Sequence, residues 1–119
     1  MDTIVAAISD LFFTVKVIDA AKKAGRKAKF VKALEPALAS LRDNNSTLLV
    51  VDLNCRDMDT VELIRAVKSD PALSQVRTLG FLSHVQEDLK QRAVEAGCDQ
   101  VVPRSVFSDR VNDLLAAGA

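Results

Sequence analysis

The segment Leu48–Asp52, with the sequence LLVVD, constrains the fold more than any other part of the chain. An uncharged run rich in Val and Leu is typical of a strand that is buried on both faces. Such a strand belongs in the middle of a parallel sheet. Asp52 then lies at its carboxyl end, which is where ligands bind in open parallel α/β sheets.

The same alternation of strand and helix patterns extends through the whole chain. Apolar residues recur at helical spacing after each strand pattern and predict five helices. Gly25 and Gly97 stand where the first and fourth helices are expected to end. Alternating lysines in the second strand pattern, and a proline at the end of the fifth, are typical of sheet edges. The five predicted strands are Thr3–Ile8, Lys27–Lys32, Leu48–Val51, Arg77–Leu82 and Gln100–Val102.

Five strands that alternate with five helices predict a doubly wound parallel α/β domain, because each parallel crossover needs its helix. With the second and fifth strands at the edges, the strand order is 2-1-3-4-5, as in flavodoxin-like folds. This order places Asp10, after the first strand, beside Asp52. The other polar residues expected at this edge of the sheet are Asn54, Ser83, His84 and Arg104.

Composition and charge exclude several classes of protein. Lys and Arg number 16, and Asp and Glu also number 16, so there is no electrostatic case for a nucleic-acid or membrane-surface partner. No apolar run approaches the roughly eighteen residues of a membrane helix, and the acidic N-terminus is unlike a signal peptide. Cys55 and Cys98 lie far apart, outside metal-ligand spacing. We therefore expect a single cytoplasmic domain over residues 1–119.

The predicted cluster has the components of phosphoryl transfer to an aspartate. Asp52 is the candidate nucleophile, and Asp10 is a candidate ligand for Mg²⁺. A hydroxyl from Ser83 and a cation from Arg104 would stabilise the charge on the phosphoryl oxygens. The alternative, purely structural roles are helix capping for Asp10 and Ser83 and an ordinary solvent-exposed position for Arg104.

Over nearly its full length the chain resembles the receiver domains of two-component response regulators. The resemblance is carried by LLVVDLN around Asp52, LGFLSH around Ser83 and VVPRS around Arg104, and also by AVKSDPAL and AVEAGCDQVV. It implies a (β/α)5 fold, Asp52 as the phosphoacceptor, and a metal-bound carbonyl at Asn54. Ser83 and Arg104 correspond to the switch residues that contact the phosphoryl group, and Ser9 and His84 are candidate modulators.

The resemblance also implies partners and a cofactor. A bacterial histidine kinase or phosphotransfer protein would donate the phosphoryl group, with Mg²⁺ bound. The signal would pass to a downstream protein through the face formed by the fourth helix, fifth strand and fifth helix. The expected protein is a signalling module without an output domain, and not an enzyme.

Departures from the family pattern define the alternative hypotheses. The acid pair that usually ends the first strand falls on Ile8 and Ser9, and Asp10 comes one place late. Arg104 replaces a lysine, and Val101 replaces an aromatic residue. The chain would then be an atypical receiver, or else a pseudo-receiver that binds partners without being phosphorylated. A third hypothesis, an aspartyl-phosphate phosphatase, is suggested by the likeness of Asp52-Leu53-Asn54 to an Asp-x-Asp motif.

Overall fold

The computed structural model describes residues 3–43, 46–83 and 86–117. Strands and helices alternate strictly through these residues, and the five strands form one parallel sheet in the order β2-β1-β3-β4-β5. The predicted flavodoxin-like order is confirmed. The elements are β1 (Thr3–Ala7), α1 (Leu11–Lys23), β2 (Lys27–Phe30), α2 (Leu34–Asp43), β3 (Leu48–Asp52), α3 (Thr60–Ser69), β4 (Arg77–Leu82), α4 (Glu87–Glu95), β5 (Gln100–Pro103) and α5 (Arg104–Ala117).

The strand ends differ slightly from the predictions. Strand β1 stops at Ala7, so Ile8 already belongs to the loop that follows, and β2 stops at Phe30 instead of continuing to Lys32. Pro103 is included in β5, where an edge position makes its missing N–H harmless. The lysines of β2 are exposed, as expected for a sheet edge. Among the described helices, none is long and apolar enough to cross a membrane.

The two faces of β3 bury different sets of side chains. Leu48 and Val50 pack in the cluster that includes residues of α1 and α5, whereas Leu49 and Val51 pack in the cluster that includes residues of α2, α3 and α4. Alternate residues of a strand point to the same face. Asp52 therefore belongs to the face that α1 and α5 cover.

Three aromatic rings lie under this face of the sheet. Phe13 of α1, Phe81 of β4 and Phe107 of α5 are buried. The rings of Phe81 and Phe107 stack with centroids 4.3 Å apart, and the centroids of Phe13 and Phe81 are 4.8 Å apart. Such pairs contribute about 0.5–1.5 kcal/mol each beyond their buried area. Phe81 is in register with Asp52, so the cluster lies next to the predicted phosphoacceptor.

Glycines end α1 and α4 as the sequence predicts. Gly25 has φ +71° and Gly97 has φ +106°, both in the region that side chains with a Cβ atom disfavour. A Cβ at Gly97 would also lie 2.8 Å from Cγ of Lys68. Lys68 has little room to move, because its Nζ donates to the carbonyl of Val76 at 2.8 Å and to Asp99 Oδ2 at 2.9 Å.

We expect Gly97→Ala to lower the free energy of unfolding by roughly 2–3 kcal/mol, through backbone strain and displacement of the Lys68 stem. Gly25→Ala is the matched control, because its Cβ would meet nothing within 4 Å. Its cost should stay near 1 kcal/mol, the penalty of the left-handed conformation alone. Urea unfolding of both variants tests this difference. Equal losses would show that the contact with Lys68 adds nothing.

Candidate functional site

An open cleft of about 420 Å³ lies at the carboxyl ends of β1 and β3. Four of the sequence-predicted site residues line it, together with the candidate modulator Ser9 and two residues of the loop after β3. The side chains of the loop add one basic and one acidic group to the rim. The lining residues are Ser9, Asp10, Asp52, Asn54, Arg56, Asp57 and Arg104.

Asp52 is a buried carboxylate at the base of this cleft, with only 1% of its surface exposed. Its Oδ1 accepts a hydrogen bond from the backbone N–H of Asn54 at 2.8 Å, and its Oδ2 lies 3.8 Å from Nη2 of Arg104. Burial raises the pKa of Asp52, and the charge of Asp10 raises it further. The Asn54 hydrogen bond and the Arg104 charge oppose this rise without cancelling it.

Asp10 has two roles at once. It is the N-cap of α1, where its Oδ1 accepts from the backbone N–H of Phe13 at 3.3 Å. It also lines the cleft, and its charge acts on Asp52. The two preceding positions supply no acid, since Ile8 is buried and Ser9 uses its hydroxyl to accept from the N–H of Arg56 at 3.3 Å. Asp10 is thus the carboxylate that the end of β1 brings to the cleft.

Arg104 begins α5 and stands over the aromatic cluster. Its guanidinium carbon lies 5.4 Å from the centroid of the Phe13 ring, an arrangement in which the ring face attracts the cation. Its Nε is buried and has no hydrogen-bond partner among the described residues. A buried donor without a partner costs about 1–3 kcal/mol, so Arg104 retains an unused capacity to bind an acceptor.

The side chain of Asn54 connects the β3 loop to the β4 loop. Its Oδ1 accepts from the backbone N–H of Ser83 at 3.2 Å, and its Nδ2 donates to Oε1 of Gln86 at 2.7 Å. Both polar atoms of the Asn54 side chain are therefore hydrogen-bonded within the protein. No local sequence pattern predicts the Gln86 contact, because it joins residues 32 positions apart.

Thr60 is a further residue that sequence reasoning missed. Its buried Oγ1 donates to the backbone carbonyl of Asp52 at 3.0 Å and so holds the start of α3 against the end of β3. Asp59, which precedes it, is the N-cap and accepts from Glu62 N–H at 3.1 Å. The contact of Thr60 with β3 gives it a role different from that of Asp59, which caps the helix.

Ser83 is at the predicted edge of the sheet but lines a neighbouring groove. This groove, of about 200 Å³, lies between α4 and β5. Ser83 does not cap α4, which has Gln86 at its N-cap position. His84 lies outside the described residues. The residues that line this α4–β5 groove are Leu82, Ser83, Gln86, Glu87, Lys90, Val101, Val102 and Pro103.

The donor set of the cleft suits a hard cation better than a soft one. Asp10 and Asp52 offer carboxylate oxygens, and Mg²⁺ commonly takes only one or two carboxylates, with waters and phosphoryl oxygens completing its shell. Across the described residues, no group of three or more His, Cys, Asp or Glu side chains is placed to hold a metal ion. The residues fit Mg²⁺ bound in an open cleft, and do not fit a closed protein cage.

The sequence matches no protein-family model and no curated protein, whereas its structure is similar to many solved response regulators. The chemotaxis response regulator CheY4 of Vibrio cholerae is 16% identical, with 100% of this chain and 99% of that chain covered and a TM-score of 0.83. A response regulator from Thermotoga maritima is 19% identical, with 98% of each chain covered and a TM-score of 0.75. The chain therefore has the fold of response-regulator receiver domains.

We expect Asp52→Asn to stabilise the protein at neutral pH, by on the order of 1 kcal/mol, because it removes a buried charge. The raised pKa of Asp52 means that the folded state binds the proton more tightly than the unfolded state. The wild type therefore loses stability as the pH rises from the ordinary value of 3.8 through the raised folded-state pKa. The stability advantage of Asp52→Asn over the wild type should be complete at pH values above this range and vanish at pH values below it.

Urea unfolding of both proteins across the acidic and neutral range measures this advantage. Asp57→Asn is the matched control, because Asp57 lines the same cleft but is exposed. It should change stability by less than about 0.5 kcal/mol at any pH. An Asp52→Asn protein that is less stable than the wild type at neutral pH would contradict the assignment of a destabilising buried charge.

Proposed function

We propose that the chain is a receiver that accepts a phosphoryl group on Asp52 from a phosphohistidine of a kinase or phosphotransfer protein. One observation carries the proposal: a buried carboxylate ends the central strand and faces Arg104, whose Nε has no partner among the described residues. A second carboxylate, that of Asp10, lines the same cleft. The receiver fold supports this reading of the cleft.

In this proposal Asp52 acts as a nucleophile. The Asn54 N–H fixes Oδ1, so Oδ2, on the side of Arg104, is the attacking atom. The bond from Oδ2 to phosphorus forms as the bond from phosphorus to the donor imidazole nitrogen breaks, and the imidazole leaves with the bonding electron pair. Asp52 Oδ2 loses its negative charge when it bonds to phosphorus. Arg104 then binds the phosphoryl oxygens instead, with its planar guanidinium group.

Mg²⁺ would be held by Asp10, Asp52 and the carbonyl of Asn54. When bound, it would neutralise charge on the phosphoryl oxygens. Two structural relatives support a metal and a phosphoryl group in this fold. The response regulator Rcp1 was solved in an Mn²⁺-bound form and is 17% identical, and the phosphorylated cyanobacterial phytochrome response regulator RcpA is 18% identical.

We propose that the signal leaves through the face formed by α4, β5 and α5. Helix α4 buries only Ala93 completely, which makes it the helix that a small change at the cleft can move most easily. The Asn54–Gln86 hydrogen bond ties its N-cap to the loop after Asp52. Val101, where an aromatic side chain usually stands in receivers, lines the groove beside Ser83. This groove is the candidate site for a downstream protein.

A pseudo-receiver is the competing proposal, and the environment of Asp10 favours it. Asp10 already caps α1, and the positions of the usual acid pair hold Ile8 and Ser9. Such a protein would keep the fold and the α4–β5 groove and bind its partner without phosphorylation. The two proposals differ in whether Asp52 reacts and in whether the cleft binds Mg²⁺ with a phosphoryl group.

Incubation with acetyl phosphate and Mg²⁺ tests the reaction directly. We expect intact-protein mass spectrometry to show the addition of one phosphoryl group, and we expect Asp52→Asn to abolish it. Asp57→Asn, with an exposed carboxylate on the same cleft, should still be labelled. If the wild type stays unlabelled under conditions that label an ordinary receiver, the pseudo-receiver is correct.

Beryllium fluoride with Mg²⁺, a mimic of the bound phosphoryl group, tests the roles of the site residues through the melting temperature. Binding to the folded state should raise it by several degrees, because a ligand that binds only the folded state stabilises it. Asp52→Asn should remove the rise, and Arg104→Ala should reduce it while Arg104→Lys retains part of it. An equal rise in Arg104→Ala and the wild type would exclude contact between Arg104 and the phosphoryl group.

A further inference from the structure

Helix α1 exposes an unusual number of large apolar side chains. Leu11 is 77% exposed, Phe12 58%, Val15 57% and Ile18 49%. The structure describes one other large apolar side chain that is comparably exposed, Val94 of α4 at 53%. Apolar surface concentrated in this way on a soluble domain marks an interaction site. We call Leu11, Phe12, Val15 and Ile18 the α1 stripe.

The spacing of the α1 stripe indicates what kind of element covers it. Three members of the α1 stripe and Lys22 follow one another at intervals of four, three and four residues, and we call these four positions the seam: Leu11, Val15, Ile18 and Lys22. This is the interval of a coiled-coil seam, in which two helices pack along their length. The opposite face of α1 is already buried in the core through Phe13, Val17, Ala20 and Ala21. The helix therefore has a second packing face directed away from the domain.

We propose that the α1 stripe binds the α1 stripe of a second copy of this chain in an antiparallel, two-fold symmetric dimer. Charge makes the stripe complementary to itself in this orientation. Its first residue adjoins the cleft, where three carboxylates outnumber two guanidinium groups, and the last turn of α1 carries Lys22 together with Lys23, which pairs with Asp19 at 3.1 Å. Antiparallel pairing brings each negative end to a positive end and also opposes the helix dipoles.

The seam fixes the register of the pair. When all four seam positions overlap, the two-fold axis passes between Val15 and Ile18, and Leu11 lies opposite Lys22 of the second copy. The ammonium group of that Lys22 then extends past Leu11 towards Asp10 and the mouth of the cleft. A charged residue at one seam position is a known means of selecting a single register.

The size of the interface makes the dimer weak and reversible. A helix of 13 residues is about 20 Å long, and one helix pair of that length buries less than the roughly 1,200 Å² of a stable interface. We therefore expect monomers at micromolar concentrations and dimers as the concentration approaches millimolar.

The dimer also covers the mouth of the cleft. If the proposed function is correct, self-association and phosphorylation of Asp52 compete, whereas dimerisation itself does not depend on that function.

Sedimentation equilibrium over a series of concentrations tests the dimer. The average mass of the wild type should rise towards twice the monomer mass, and Val15→Glu should remain a monomer throughout. Val94→Glu is the matched control, because it places the same charge at a similarly exposed apolar position of another helix, and it should dimerise like the wild type. A wild type that stays monomeric at millimolar concentration, or equal effects of the two variants, would overturn the proposal.

Disulfide crosslinking tests the orientation in a Cys55→Ser background, with Cys98 buried. A mixture of Leu11→Cys and Lys22→Cys proteins should form a mixed disulfide dimer on mild oxidation, and Leu11→Cys alone should crosslink at least tenfold less. Preferential crosslinking of Leu11→Cys with itself would overturn the antiparallel register. The result is independent of acetyl phosphate labelling, so failure of the dimer and failure of the phosphoacceptor are distinguishable.

Discussion

The burial of the Asp52 carboxylate is the constraint on which the rest of the site depends. A carboxylate at the end of an apolar strand loses its hydration and must find compensation from the protein. Here the compensation comes from the Asn54 N–H on one oxygen and from the Arg104 guanidinium near the other. The compensation is incomplete, because the pKa of Asp52 remains raised. A ligand that neutralises the buried Asp52 carboxylate would therefore lower the free energy of the folded protein.

The surrounding elements are arranged to keep Arg104 close to Asp52. Phe13, Phe81 and Phe107 come from three different elements and form one aromatic cluster below the cleft. Arg104 lies over the Phe13 ring, which limits where its long side chain can go. The core on this face of the sheet thus orients the cation, in addition to stabilising the fold. A lysine has no planar group to stack in the same way, which is a physical reason why arginine suits this position.

Much of the fold could be predicted from local patterns. The uncharged strands β1, β3 and β4 and the edge character of β2 and β5 are properties of short segments, and together they predicted the observed strand order. Glycines at positive φ ended α1 and α4 as expected. The contacts of Asn54 with Gln86 and of Arg104 with Phe13 could not be predicted in this way, because they join residues that are distant in sequence and depend on side-chain direction.

The sequence by itself determined that Asp52 ends a buried central strand and that Asp10 and Arg104 reach the same edge of the sheet. The reason is that strand burial and parallel order follow from hydrophobic pattern and crossover geometry. Only the tertiary structure decided how these residues are used. Asp10 both caps α1 and lines the cleft, and Ser83 lines the neighbouring groove. These outcomes depend on competition among nearby hydrogen-bond partners, which exists only once the loops are packed together.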